Sequence, residues 1–211
     1  IKRFIFTSTD SCYGAQENVY LTEDSPLKPI SLYAELKAKM EAELLAIGTA
    51  GRFKPVILRL ATLYGLAPRL RFDLVINLLT REAVMGPGAK IFSGEQWRPL
   101  VHVRDAAKAF SLTLSASDEL VGGQVFNVGS NHQNIQFKDL EDLIRQTMPE
   151  ALIETVPQPP DLRDYHVCFD RISRKLGFTP DYEVAQGILE IKNALLDGSL
   201  GDPYDARYKN S

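Results

Sequence analysis

The stretch FIFTSTDSCYG, Phe4 to Gly14, decides how the rest of the sequence is read. Phe4, Ile5 and Phe6 have the apolar and aromatic character of a buried strand, and they run directly into Thr7, Ser8, Thr9 and Asp10. Open α/β sheets hold their ligands in the crevice beyond the carboxyl ends of their strands, so a strand that ends in hydroxyls marks a place for chemistry. The segments that follow fit such a sheet. Short apolar runs alternate with helix-period stretches, the signature of a parallel sheet covered by helices.

Outward from this strand, SLYAELKAKMEAELLAIG (31–48) reads as a helix with Ser31 as N-cap and Gly48 as its stop. PVILRLATLYG (55–65) is the next strand, ending in a polar-aromatic turn. The pattern then gives helix FDLVINLLTREAVM (72–85), strand KIFS (90–93), strand WRPLVHV (97–103), helix RDAAKAFSLTLSA (104–116), strand QVFNVG (124–129) and helix FKDLEDLIRQTM (137–148). Val156 to Pro160 reads as a linker, followed by short helices near Arg171–Leu176 and Val184–Leu196. The closing GDPYDARYKNS (201–211) has turn formers and aromatics without a helical period, and is expected to be a surface strap or frayed.

Composition narrows the function. The 211 residues are 45% hydrophobic and 24% charged, enough to bury a sizeable core. A net charge of −3, with both signs spread along the chain, lacks the basic stripe of a nucleic-acid binder. No apolar run reaches the roughly 18 residues of a membrane span. Cys12 and Cys168 lie far apart without a CxxC pattern, which suits two free thiols in a reducing compartment, and a cytoplasmic protein is expected.

Tyr33 and Lys37 are four residues apart on the helix that follows the hydroxyl-ended strand. That spacing puts them on one face, about 6 Å apart along the axis. A phenol titrates near ~10, so as a base it needs a nearby cation, which Lys37 supplies. Thr9 can hydrogen-bond the same substrate oxygen that Tyr33 protonates or deprotonates, an arrangement for hydride-transfer chemistry at a carbinol. A YxxxK spacing alone also occurs on ordinary amphipathic helices, with Tyr half buried and Lys snorkelling.

STDSCYG, SLYAELK, ILRLATLYG, WRPLVHVRDAAKA and DLRDYHVCFDRISRKLGFTP occur together in an order and spacing that resembles the extended short-chain dehydrogenase/reductases of the NAD-dependent epimerase/dehydratase family, which act on nucleotide sugars. The resemblance covers nearly the whole chain. It implies an α/β fold: the C-terminal part of a Rossmann-type doubly wound parallel sheet over residues 1–66 with parts of 98–130, plus a small α/β substrate-binding portion over 67–97 and 131–211. It implies Thr9, Tyr33 and Lys37 as the catalytic triad, with Lys37 also holding the nicotinamide ribose, and Ala61 where the backbone passes the nicotinamide. Thr62 stands where relatives usually carry an Asn that contacts the substrate diphosphate. Arg98 and Arg163 resemble two arginines that bind that diphosphate, a task that suits the guanidinium fork. Arg69, Arg71 and Asn77 fall where the substrate-binding loop and its helix belong. His102, between two valines, reads as a satisfied core histidine.

The reaction is narrowed by Asp10-Ser11. Dehydratases typically carry a second carboxylate after the triad Thr; serine cannot replace it as the base for a C5 proton, which disfavours 4,6-dehydration. Asp10 remains an acid or a cap of the loop. An epimerase using bound NAD is the favoured reading, with a nucleotide-sugar ketoreductase, or a dehydratase, as the alternative. The family's opening strand, glycine-rich turn and helix, which cradle the pyrophosphate, are not found in these residues. The expectation is therefore an N-terminally truncated member, with NADP left open as cofactor and a silent nucleotide-sugar-binding or subunit-binding protein as the contrasting class. Relatives often form homodimers through a four-helix bundle that uses the YxxxK helix and the helix after LAPRLRF, and the same is expected here.

Overall fold

The structure is a computed structural model that describes residues 1–16, 19–49, 51, 53–157 and 164–210. In chain order the first half comprises β1 (Arg3–Thr9), β2 (Tyr20–Leu21), α1 (Leu32–Thr49), β3 (Lys54–Leu60), β4 (Thr62–Tyr64), α2 (Val75–Met85), β5 (Ala89–Ser93) and β6 (Trp97–His102). The second half comprises α3 (Val103–Ser115), α4 (Asp118–Val121), β7 (Val125–Val128), β8 (Asn134–Gln136), α5 (Leu140–Thr147), β9 (Ile153–Pro157), β10 (His166–Val167), α6 (Asp170–Leu176) and α7 (Val184–Leu196).

The first sheet runs β1-β3-β7, all parallel, with Thr9 opposite Leu60 and Leu60 opposite Val128. β3 is buried from Pro55 to Leu60, as the near-continuous apolar run of a central parallel strand requires. β1 is half-buried and forms one edge of this sheet among the described residues. Val56, Leu58, Phe126, Val128 and Ile172 form its core. The alternating pattern thus yields the parallel α/β architecture expected from it.

PVILRLATLYG is two strands rather than one. At Ala61, whose N–H donates to the Val128 carbonyl at 3.0 Å, the chain leaves the first sheet. β4 then pairs with β6, and β6 pairs antiparallel with β8. A separate core joins α2, β5, α5 and α7 through Ile76, Leu79, Ile91, Ile144 and Ile188. The segment read as a linker begins within β9, which pairs in parallel with β5. The last segment is a strap: Tyr208 is buried with Leu70, Phe72, Ile191 and Leu195.

Ser31 caps α1 as expected, its hydroxyl accepting from the Ala34 N–H at 3.3 Å. Gly48 does not stop the helix, which runs on to Thr49. It is small for a packing reason: a Cβ there would lie 2.5 Å from the Pro55 ring. α1 buries Ala34 and Glu41 but exposes Leu32, Leu36, Met40 and Ile47. α2 buries Ile76 and Leu79 in the second core. No described helix is long and apolar enough to cross a membrane.

Candidate active site

Thr9 ends β1 in extended conformation, and its hydroxyl accepts from the Ser11 N–H at 3.2 Å, capping a single 3-10 turn over Asp10–Tyr13. The cap fixes the oxygen while leaving the hydroxyl proton available to donate. Gly14 closes the turn at φ +67°, and a Cβ there would lie 1.8 Å from the Lys28 carbonyl oxygen. Only glycine lets the following loop pack so closely.

A cavity of about 890 Å³ opens at this strand end. Such a volume lies in the range of small-molecule sites. Thr9, Ser11, Tyr33, Ala61, Thr62, Arg71 and Arg98 all line it. Tyr33 is 57% exposed as a residue. Burial and the neighbouring Cys12 push its phenol above the usual tyrosine value, while a hydrogen bond with Thr9 and the charge of Arg71 pull it down. Lys37 donates to the Thr7 carbonyl at 2.7 Å, with its ammonium 4.7 Å from the Phe6 ring centre and 5.7 Å from that of Tyr33. Arg71, from the loop before α2, is the cation whose charge lowers the phenol.

Asp10, Lys37, Arg69 and Asn77 do not line the cavity. Asp10 is 1% exposed and neither carboxylate oxygen has a hydrogen-bond partner among the described residues. Burial, reinforced by the charges of Glu23 and Glu41 and opposed by Arg59, raises it well above the usual carboxylate range. The 3-10 turn separates the two neighbours, since it buries Asp10 while Ser11 stays on the cavity wall. Asn77 is a buried brace: its carbonyl accepts from the Gly65 N–H at 3.1 Å and its amide donates to the Arg71 carbonyl at 2.9 Å. Arg163 lies outside the described residues. His102 is fully buried; Nδ1 accepts from the Arg104 N–H at 3.2 Å, so Nε2 carries the proton toward Glu190 at 2.7 Å.

The cavity wall also includes Asp73, Phe137, Tyr165 and Asn210, which the sequence does not single out. The Arg98 guanidinium sits 5.2 Å from the Phe137 ring centre and 5.3 Å from that of Tyr165, and donates to the Trp97 carbonyl at 2.8 Å. The Tyr165 hydroxyl is 3.4 Å from the Ser11 hydroxyl. Its place in DLRDYHV, two residues after Arg163, was the available signal. Asp73 holds Arg71 in a two-point ion pair at 3.0 and 2.7 Å.

A hydroxyl-ended parallel strand facing a Tyr and a Lys one helical turn apart defines a site of the short-chain dehydrogenase/reductase type. The chain belongs to the NAD dependent epimerase/dehydratase family, whose model matches residues 1–129. It is 29% identical over 208 residues to a UDP-glucose 4-epimerase of Azospirillum brasilense, covering 90% of this chain and 59% of that protein. It is 28% identical over 193 residues to a dTDP-glucose 4,6-dehydratase of an Actinoplanes species, again covering 90% and 59%. The chain thus spans 59% of the length of these two relatives. Among solved structures, a UDP-glucose 4-epimerase of Thermotoga maritima with UDP-glucose superposes with a TM-score of 0.80 at 25% identity, over 94% of this chain and 65% of that one. MoeE5 in complex with UDP-glucuronic acid and NAD gives 0.80 at 25% identity, over 94% and 66%.

Proposed function

We propose that this chain carries the catalytic and sugar-binding residues of an NAD-dependent nucleotide-sugar epimerase. The observation that supports it is the meeting of Thr9, Tyr33 and Ser11 on one cavity wall, with serine rather than a second carboxylate beside the triad. Tyr33 removes the proton of the sugar hydroxyl as the carbinol is oxidised to a ketone and returns it to the oxygen as that ketone is reduced from its opposite face. Its phenol holds its proton at neutral pH in the absence of further charge, so the cations around it determine how readily it serves as base. Thr9, its oxygen fixed by Ser11, donates into the same hydrogen bond.

The residues present fit the nicotinamide end of NAD. One of the three Lys37 N–H donors is committed to Thr7, which leaves the others for ribose hydroxyls. Ala61 gives a small side chain at the cavity floor, and behind it a Cβ on Gly129 would lie 2.6 Å from the Phe169 ring. When bound, NAD supplies a reversible two-electron acceptor for the carbinol carbon. Arg98 meets the diphosphate through its guanidinium fork in this reading, which its position between two cavity-lining aromatic rings supports. Residues 1–66 with parts of 98–130 form the cofactor side in this reading, and 67–97 with 131–211 the sugar side.

Turnover of UDP-glucose or dTDP-glucose with NAD, followed by NMR of the C4 epimers, tests the proposal. Tyr33→Phe is expected to lower it by roughly 10²–10⁴-fold with nucleotide-sugar binding nearly intact. A 4-keto-6-deoxy product would assign dehydration instead, and unchanged turnover would remove Tyr33 from the chemistry. A homodimer is part of the same proposal, supported by the exposed apolar side of α1. Met40→Asp should shift the sedimentation coefficient toward the monomer; an unchanged value places any interface elsewhere.

A further inference from the structure

Leu200–Asn210 is anchored as if its position mattered. The Phe72 N–H donates to the Tyr208 carbonyl at 2.9 Å, and the two rings meet edge to face at 5.3 Å. The Arg81 guanidinium lies between the Phe72 and Tyr204 rings, at 5.1 and 4.6 Å, and also donates to the Pro203 carbonyl. These contacts bring Asn210 onto the cavity wall beside Arg71 and Asp73. Its backbone N–H is directed at the Asp73 carboxylate. With its oxygen turned toward the guanidinium, its side-chain amide accepts from Arg71 at 3.2 Å.

We infer that Asp73, Arg71 and Asn210 form a sugar-hydroxyl recognition wall, so that Asp73 and Asn210 are specificity-determining residues; this rests on the nucleotide-sugar reading of the cavity. Charge separates this role from diphosphate binding. The Arg71 charge is already met by Asp73, whose own carboxyl the guanidinium holds below its usual value. The paired guanidinium therefore has little net charge to offer an incoming diphosphate. A sugar hydroxyl does better on both counts, donating to a free lone pair of Asp73 and accepting from an unused N–H of Arg71. The three residues come from a loop and a strap that lie far apart in the chain, and the strap's aromatic anchors fix their spacing.

The test is calorimetric titration of the protein with UDP-glucose and dTDP-glucose, and separately with UDP and dTDP. Asp73→Asn, nearly isosteric, is expected to weaken the nucleotide sugars by about 10- to 100-fold, the loss of a charge-assisted hydrogen bond, while UDP and dTDP change by less than about twofold. Asn210→Ala, which removes no core contact, should show the same pattern with a loss of about 3- to 10-fold. Equal losses for sugar-bearing and sugar-free ligands would make the wall a diphosphate contact and overturn the inference. No loss for either variant would overturn it too. If the unsubstituted protein binds none of the four, the nucleotide-sugar reading itself fails and takes this one with it.

Discussion

Two arginine–carboxylate pairs in this molecule have nearly the same geometry and opposite surroundings. Arg59 meets Glu41 at 2.6 Å with side chains 6% and 3% exposed; Arg71 meets Asp73 at 2.7 Å with side chains 36% and 33% exposed. The buried guanidinium also donates to the Tyr13 hydroxyl at 2.9 Å, and Ser8 donates to Glu41, so the pair holds β1, β3 and α1 together. The half-exposed pair faces a cavity. Bond length does not separate scaffold from recognition here. Access to solvent does, because a desolvated pair that loses one partner leaves a stranded charge, whereas an exposed one is rescued by water.

The largest effect on stability should come from breaking the buried pair. Glu41→Ala is expected to cost about 3–5 kcal/mol in urea unfolding, since it leaves Arg59 buried without its carboxylate. A loss below about 1 kcal/mol would put the two pairs on the same footing and end the comparison.

Asp10 sharpens it, being a carboxylate beside the buried pair with no hydrogen-bond partner among the described residues. Because its value is raised in the folded state, its protonated form favours the fold. That contribution is complete below the ordinary aspartate range and is lost as pH rises through the folded-state value. Asp10→Asn carries no charge at any pH and removes the loss. Relative to the unsubstituted protein, its unfolding midpoint should therefore climb as pH rises above the ordinary aspartate range of about 4. A difference that is flat or falls with pH would mean that Arg59 keeps Asp10 ionised in the fold. The smallest effect belongs to the exposed pair: Asp73→Asn should change stability by less than about 1 kcal/mol even as it weakens sugar binding.

Much of the architecture was legible because it rests on local pattern. The apolar run of β3, the capping Ser31 and the four-residue step from Tyr33 to Lys37 each state their structure within one element. What was illegible depended on partners distant in sequence. β2 and β10 are two residues each and exist only because Tyr20 and His166 lie side by side. The break at Ala61 has no sequence mark, since Leu60 and Thr62 both suit a strand; it is set by which neighbours the two halves find, β7 or β6. Asp10 looked like a cavity residue from its place after Thr9, but a 3-10 turn rotates neighbouring side chains to different sides. Asn210 sits in a stretch with no period at all, and only the docking of Tyr208 brings it to the site.

β1 has a consequence for anyone who would move this site elsewhere. Along the strand end, Ser8 sends its hydroxyl to Glu41 while Thr9 directs its own toward Ser11 and the cavity. Successive residues of a strand point to opposite faces, so a one-residue insertion or deletion upstream would exchange the two. The site can thus be altered by substitution but not by a change of length at this point. A graft that copied only Thr9, Tyr33 and Lys37 would leave behind Glu41 and Arg59, which never reach the cavity and yet fix the phase of the strand that does.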